Sequence, residues 1–163
     1  PPGGRVTRAE LGEEKMDLAK TMGPDETIDA RRGEIVKQVK ALTGGRGVDA
    51  SIDIVGNSRT LQACLEALAP AGRMVIIGSK PASAYGEDPT FKVNPQEFMR
   101  QAQEIHGSRY VNNEEIERTL LLVKHRRIKA VVSRTFPLEE AEQVHELLRK
   151  NAIAGRAALI VSQ

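Results

Sequence analysis

The chain of 163 residues carries 24 lysines and arginines against 22 aspartates and glutamates, a net charge of +2. Because these charges are mixed and aromatic residues make up only 3%, the sequence does not favour nucleic-acid binding. The single cysteine, Cys64, excludes a disulfide within this chain and a cysteine-rich zinc site. No apolar run approaches the ~18 residues of a membrane span. The N-terminal PPGGR has no apolar signal segment, so a cytoplasmic protein with a cut N-terminus is expected.

Strand and helix patterns alternate along the first two-thirds of the chain. Helices are indicated where apolar residues recur every three or four positions and a glycine or proline follows. Strands are indicated by short apolar runs, and RMVIIG at residues 73–78 is typical of a strand buried on both faces. The predicted elements are, in chain order, a strand that ends on Glu10, helix 13–22, strand 26–29, helix 34–43, strand 48–55, a helix capped by Ser58 with Leu61, Leu65 and Leu68 on one face, strand 73–78, helix 95–102 and strand 104–107.

The rhythm of the pattern changes after residue 107. A helix is predicted over residues 113–126, with its apolar face turned toward the interior. That face consists of Ile116, Leu120, Leu121 and Val123. A strand–helix–strand tail then closes the chain, with strand 129–136, helix 138–150 and strand 156–161.

Repeated strand–helix–strand units predict right-handed crossovers and a parallel sheet. In a dinucleotide-binding fold, the acid at the end of the second strand binds the ribose 2′-hydroxyl, and a glycine-rich phosphate loop lies about 20 residues before it. Glu10 has the position of that acid, but only nine residues precede it. The predicted fold class is therefore α/β, an incomplete doubly wound, Rossmann-like parallel sheet without its first strand and glycine loop. The strand–helix–strand tail follows this sheet.

Three stretches of the chain carry a family resemblance: RVTRAELGEEKMDLAKTMGPDETID, LTGGRGVDASIDIVGNSRTLQACLEALAPAGRMVIIGS, and the segment from EIHGSRY to AGRAALIV. In this order they resemble the second half of the medium-chain dehydrogenase/reductases, in the zinc-type alcohol dehydrogenase group. The resemblance implies that residues 1–128 form a partial dinucleotide-binding domain and that residues 129–163 return to a catalytic domain. The family's metal ligands, proton relay and glycine loop would then lie outside this chain.

The resemblance also implies a set of cofactor contacts. Glu10 would accept hydrogen bonds from both ribose hydroxyls and repel the 2′-phosphate of NADP, so NAD is the expected cofactor. Glycines just past the strand ends let the backbone approach a ligand at the edge where open α/β sheets bind it. The expected cofactor-binding residues are Glu10, Lys15 at the adenosine ribose, Val55, Gly56, Ile77, Gly78 and Ser79 at the strand ends, Ser108 and Arg109 at the nicotinamide end, and Arg156 at the pyrophosphate.

Each of these residues also has a plain structural interpretation. Glu10 and Arg156 can be surface charges at strand ends, and Lys15 can be a solvated helix residue. The glycines can form tight turns, and the segment around Arg109 can be an exposed loop. Asp53 shares the region, but a helix-capping or exposed role is expected for it. No nucleophile–base pair or metal-ligand pattern stands out, so no catalytic residue and no metal ligand are expected in this chain.

The function expected from the resemblance is that of the cofactor-binding portion of an NAD-dependent alcohol or polyol dehydrogenase. In the full-length enzyme a hydride would pass between a small-molecule alcohol or carbonyl substrate and nicotinamide, with zinc bound outside this chain. The chain alone would be inactive, and its open strand edges favour a homo-oligomer. Two alternatives stay open: a zinc-independent, quinone-reductase-like oxidoreductase, or a non-catalytic Rossmann remnant.

Overall fold

A computed structural model of the chain describes residues 3–78, 89–108, 110–150 and 152–161, with the backbone alone at Arg32. Strands and helices alternate as predicted, and the bounds of the second and fifth strands are those expected. The strands are β1 (Thr7–Glu10), β2 (Glu26–Asp29), β3 (Val48–Asp53), β4 (Leu68–Ile76), β5 (Glu104–Gly107), β6 (Val132–Pro137) and β7 (Arg156–Ile160). The α-helices are α1 (Glu13–Thr21), α2 (Ile35–Leu42), α3 (Ser58–Glu66), α4 (Pro95–Arg100), α5 (Asn113–Lys124) and α6 (Ala141–Arg149).

Every strand pair in the described residues is parallel, which confirms the predicted α/β class. The strands form three hydrogen-bonded groups, ordered β1-β2, β3-β4-β5 and β6-β7. A doubly wound sheet has the order 3-2-1-4-5-6. When its first strand is left out, the order becomes a 3-2 pair and a 4-5-6 triple. The groups β1-β2 and β3-β4-β5 have that pairing, and β6-α6-β7 is the predicted tail.

The contacts of the chain divide it into two compact units. The first unit combines residues 1–31 with residues 111–163, and the second runs from Arg32 to Tyr110. The first therefore holds β1-β2 and β6-β7, and the second holds the three-stranded sheet. This division rests on contacts alone, so the domain boundary expected after residue 128 stays a prediction.

The core of the second unit lies between the three-stranded sheet and α3. Leu61 and Leu65 of α3 pack against Leu68 and Met74 of β4, and Met74 is fully buried. Partly buried apolar residues surround this cluster, namely Val48, Cys64, Ile76, Phe91, Phe98 and Ile105. Burial raises the pKa of the Cys64 thiol to about 11, with the nearby negative charge of Asp53 as a smaller cause. A thiol that stays protonated fits the packing role predicted for Cys64.

Two details at the ends of α3 differ from the prediction. Asn57, not Ser58, caps the helix, because Asn57 has the extended backbone of an N-cap and its side chain accepts the Thr60 N–H at 2.9 Å. Leu68, expected on the helix, is the first residue of β4. The Pro70–Gly72 stop lies inside β4, because the β3–β4 register shifts there and the extra residues form an irregularity that tolerates proline.

The prediction of a buried face on α5 is wrong. Its four apolar residues, Ile116, Leu120, Leu121 and Val123, are all exposed, and Leu120 keeps 61% of its surface accessible. The helical period determines which residues share a face, but burial also requires a second surface to meet that face. The helix itself forms over residues 113–124, two residues shorter than expected.

Candidate cofactor-binding site

Glu10 is the last residue of β1, at the carboxyl end of the β1-β2 pair. The chain then turns through Gly12, whose φ of 95° favours glycine, and enters α1 directly. This geometry places the Glu10 carboxylate where the strand-to-helix connection leaves the sheet. Its side chain is only 18% exposed. Glu10 therefore lies where the sequence predicts it, at the end of a strand immediately before a helix.

Strand alternation predicts that Arg8 lies on the same side of β1 as Glu10, where it could contact a 2′-phosphate in the absence of Glu10, and in the structure Arg8 bonds Glu10. Residues i and i+2 of a strand share a face, and the Arg8 guanidinium donates from Nε to Glu10 Oε1 at 2.6 Å. Its Nη2 lies 2.6 Å from the same oxygen. The strand alternation in TRAE was the signal that placed the two side chains on one side. A guanidinium pairs with phosphate as well as with carboxylate groups, so the position of Arg8 beside Glu10 matters for the choice between NAD and NADP.

Asp53 organises the carboxyl edge of the three-stranded sheet. It is the last residue of β3 and only 2% exposed. Its Oδ1 accepts the N–H groups of Val55 at 3.1 Å and Gly56 at 2.5 Å. Its backbone carbonyl accepts the N–H groups of Ile77 at 2.8 Å and Gly78 at 2.9 Å. The exposed or helix-capping role expected for Asp53 is therefore wrong. The signal in the sequence is an aspartate at the end of a strand, because an aspartate side chain commonly accepts a hydrogen bond from the backbone N–H two residues further along the chain.

Gly78 brings the turn after β4 against the turn after β3. A Cβ at Gly78 would overlap the backbone atoms of Ile54, Val55 and Gly56, closer than real Cβ atoms come. Gly78 thus lies close to the neighbouring turn of the protein, and its expected contact with the cofactor stays a prediction. Gly56 is buried and has a φ of 74°, which also favours glycine.

Four of the expected cofactor residues share this edge, namely Val55, Gly56, Ile77 and Gly78. Their N–H groups are all bonded to Asp53, so these N–H groups are not the donors that a ligand meets here. The Val55 and Ile77 side chains are exposed at 40% and 51% and give the edge an apolar surface. Such an edge can accept hydrogen bonds through carbonyl oxygens and pack against a flat apolar ring.

The remaining expected residues are spread over the two units. Ser108 follows β5 in the second unit and donates its N–H to the Ile76 carbonyl at 2.9 Å, which places it beside the end of β4. Glu10, Lys15 in α1 and Arg156 at the start of β7 belong to the first unit. Ser79 and Arg109 lie outside the described residues, so their expected contacts stay predictions.

The described residues offer no site for the zinc that the resemblance implies. Among them, no three histidine, cysteine, aspartate or glutamate side chains lie close enough together to hold a metal ion. His106, for example, bonds Glu104 at 2.9 Å. The helices of the described ranges are also too short or too polar to cross a membrane.

Comparison with known proteins supports a specific family. The profile of the zinc-binding dehydrogenases matches residues 3–125. An NAD-dependent alcohol dehydrogenase of Sulfurisphaera tokodaii is 27% identical over 158 residues, which is 97% of this chain and 44% of that protein. An L-threonine 3-dehydrogenase of Bacillus licheniformis is 29% identical over 156 residues, 96% of this chain and 44% of that protein.

The solved structures agree with these relatives. The alcohol dehydrogenase of Aeropyrum pernix superposes with a TM-score of 0.86 at 30% identity, covering 96% of this chain and 43% of that one. The chain thus shares its α/β fold with part of an alcohol dehydrogenase. The chain belongs to the zinc-binding dehydrogenase family, and it spans less than half the length of these relatives.

Proposed function

We propose that this chain is the cofactor-binding portion of an NAD-dependent alcohol or polyol dehydrogenase. The observation that carries the proposal is the Glu10 carboxylate at the carboxyl end of β1, directly before α1. The relatives described as NAD-dependent alcohol dehydrogenases support it, since they match 97% of the chain. In the full-length enzyme, a small alcohol or carbonyl compound would be the substrate.

Glu10 would bind the ribose of the cofactor. A carboxylate accepts hydrogen bonds from two neighbouring hydroxyls and disfavours a phosphate at the same place, because like charges repel in a poorly solvated cleft. Lys15 would reach the same ribose and Arg156 the pyrophosphate, where a planar guanidinium matches phosphate oxygens. The edge formed by Val55 and Ile77 would face the nicotinamide end.

The chemistry of hydride transfer belongs to the nicotinamide cofactor when it is bound. This chain would bind and orient the cofactor, and the catalytic groups are expected outside it. Zinc, held by residues outside this chain, stays a prediction. The cytoplasmic location, the homo-oligomer and the two domains at residues 1–128 and 129–163 also stay predictions.

Glu10 is also what weighs against the alternatives. A zinc-independent, quinone-reductase-like enzyme would usually prefer NADPH, whose 2′-phosphate an acid at this strand end would repel. A non-catalytic remnant that binds only a partner protein would have no need of an acid that is four-fifths shielded from solvent at this strand end. We therefore favour the NAD-dependent dehydrogenase over both alternatives.

The decisive experiment is Glu10→Ala in the full chain encoded by the gene, with kcat/KM measured for NAD and NADP. Loss of charge-assisted hydrogen bonds costs ~1.5–3 kcal/mol, so NAD use should fall about ten- to a hundredfold. NADP use should rise, because Arg8 loses its carboxylate partner and becomes available to a 2′-phosphate. The preference for NAD should therefore narrow or reverse.

Two further variants make this result interpretable. Glu13→Ala removes an exposed acid in the first turn of α1 and should leave the ratio unchanged. Adding Arg8→Ala to Glu10→Ala should cancel the gain toward NADP. An unchanged NAD-to-NADP ratio in Glu10→Ala would mean that Glu10 is a surface acid, and the proposal would lose its main support.

A further inference from the structure

Asp53 is the one charged side chain that is buried among the described residues. A buried carboxylate is costly unless hydrogen bonds compensate for its lost hydration. Here the compensation comes from the backbone of the turn that follows it, through the N–H groups of Val55 and Gly56. The acid is therefore placed to hold a backbone conformation.

The same residue also holds the second turn at this edge. Its carbonyl accepts the N–H groups of Ile77 and Gly78, which follow β4. One residue thus ties together two connections that the parallel strands bring side by side. The contact of Gly78 with the backbone of residues 54–56 requires that both turns keep these positions.

These bonds also determine which way the peptide groups face. In a trans peptide the N–H and the C=O point in opposite directions. Four N–H groups are aimed at Asp53, so the carbonyls of the same peptide units point away from it. They belong to Ile54, Val55, Ile76 and Ile77, and the Ile76 carbonyl accepts the Ser108 N–H. Asp53 therefore helps to determine the direction of the Ile54, Val55 and Ile77 carbonyls, which point away from it.

We propose that Asp53 is a positioning residue for cofactor binding, which acts through the backbone of the two turns and touches no ligand itself. It would hold a row of carbonyl acceptors and the Val55 and Ile77 side chains in the orientation that receives the nicotinamide end. This inference rests on the proposed function, since it assumes that NAD binds at this edge.

The experiment compares two ligands in the full chain encoded by the gene: NADH and ADP-ribose, which lacks the nicotinamide. Equilibrium binding is measured by calorimetry for the unaltered protein, Asp53→Asn and Asp53→Ala. Asp53→Ala should weaken NADH about tenfold or more and leave ADP-ribose within about twofold, because only the nicotinamide end meets the two turns. Asp53→Asn keeps an oxygen acceptor without the charge, so its NADH loss should be about threefold.

Amide hydrogen exchange in the absence of ligand gives a second readout. Exchange of the N–H groups at residues 55 and 56, whose acceptor is the Asp53 side chain, should be faster in Asp53→Ala than in the unaltered protein. The N–H groups at residues 77 and 78 keep the backbone carbonyl of residue 53 as their acceptor and serve as the internal reference. Leu65→Ala is the matched control, because it weakens the core of the same unit without touching either turn. It should lower stability and leave the affinities for NADH and ADP-ribose unchanged.

The remaining outcomes would contradict either the inference about Asp53 or the proposed function. Equal weakening of NADH and ADP-ribose in Asp53→Ala would assign Asp53 a general structural role and overturn the inference. Unchanged NADH affinity in Asp53→Asn would also overturn it, even if Asp53→Ala does not fold. If the unaltered protein binds neither ligand, the proposed function fails, and the inference fails with it.

Discussion

Helices α3 and α5 begin with equally good local signals and end in different environments. Asn57 caps α3 through the Thr60 N–H, and Asn112 forms a full capping box with Glu115 at the start of α5. Both helices carry apolar residues at helical spacing. Yet α3 buries Leu61 and Leu65 in the core, whereas α5 buries no residue along its 12 positions.

The difference teaches that helix formation and helix packing depend on different information. A capping box and an i,i+4 pair such as Glu114–Arg118 stabilise a helix locally, by a few tenths to about 1 kcal/mol each. Burial of leucines contributes more, but it needs a facing surface. In α3 that surface is β4, which presents Leu68 and Met74.

The largest effect expected from this comparison is on stability. Leu65→Ala removes a buried side chain and leaves a cavity, so the free energy of unfolding should fall by ~2–5 kcal/mol. Leu120→Ala changes a side chain that is 61% exposed, so its effect should stay within ~0.5 kcal/mol. Urea denaturation of the full chain measures both. A loss for Leu120→Ala as large as that for Leu65→Ala would show that α5 is covered in solution.

A smaller effect on stability should show how closely the two turns at the candidate site pack against each other. Gly78→Ala forces a methyl group into the backbone of residues 54–56, so ~1–3 kcal/mol of stability should be lost, and NADH binding should weaken. Gly107→Ala is the matched control, because nothing lies within 4 Å of the added carbon at the end of β5. Thermal unfolding with and without NADH compares them. Equal behaviour of the two variants would mean that the two turns do not pack as closely as inferred.

The smallest expected effect is on the pH dependence of stability, and it comes from Glu104, an exposed residue of the three-stranded sheet that pairs with Arg73. Hydrogen bonds from Arg73, and then from His106, lower the pKa of the Glu104 carboxyl below its ordinary 4.5. A lowered pKa in the folded state means that the stabilisation is present above pH 4.5 and is lost as pH falls through the folded-state pKa. Glu104→Gln should remove this acid-sensitive part of the melting temperature.

The measurement for Glu104 is the melting temperature of the unaltered protein and the variant from neutral pH to about pH 3. The two curves should converge at the acid end, and the gap above it should be small because the group is exposed. Glu117→Gln on α5 serves as the exposed control. Curves that stay parallel over the whole range would contradict a role for the pair of Arg73 and Glu104.

Much of the fold was predictable because its signals are local. Glu10 ends β1 as expected, and the bounds of β2 and β5 match, since short apolar runs between turn residues report strands directly. The shared side of Arg8 and Glu10 follows from strand alternation. The sequence predicts the cap of α3 one residue too late, because Asn57 and Ser58 are both good capping residues and only the backbone conformation distinguishes them.

The sequence by itself determined the order of strands and helices, the family, and the acid at the end of β1. All three depend on residue type and spacing along the chain. Tertiary structure alone decided that Asp53 is buried and bonded to two turns, because one of those turns lies more than 20 residues further along the chain. It also decided that α3 is packed and α5 exposed. Burial is a property of two surfaces, and a pattern in one segment describes only one of them.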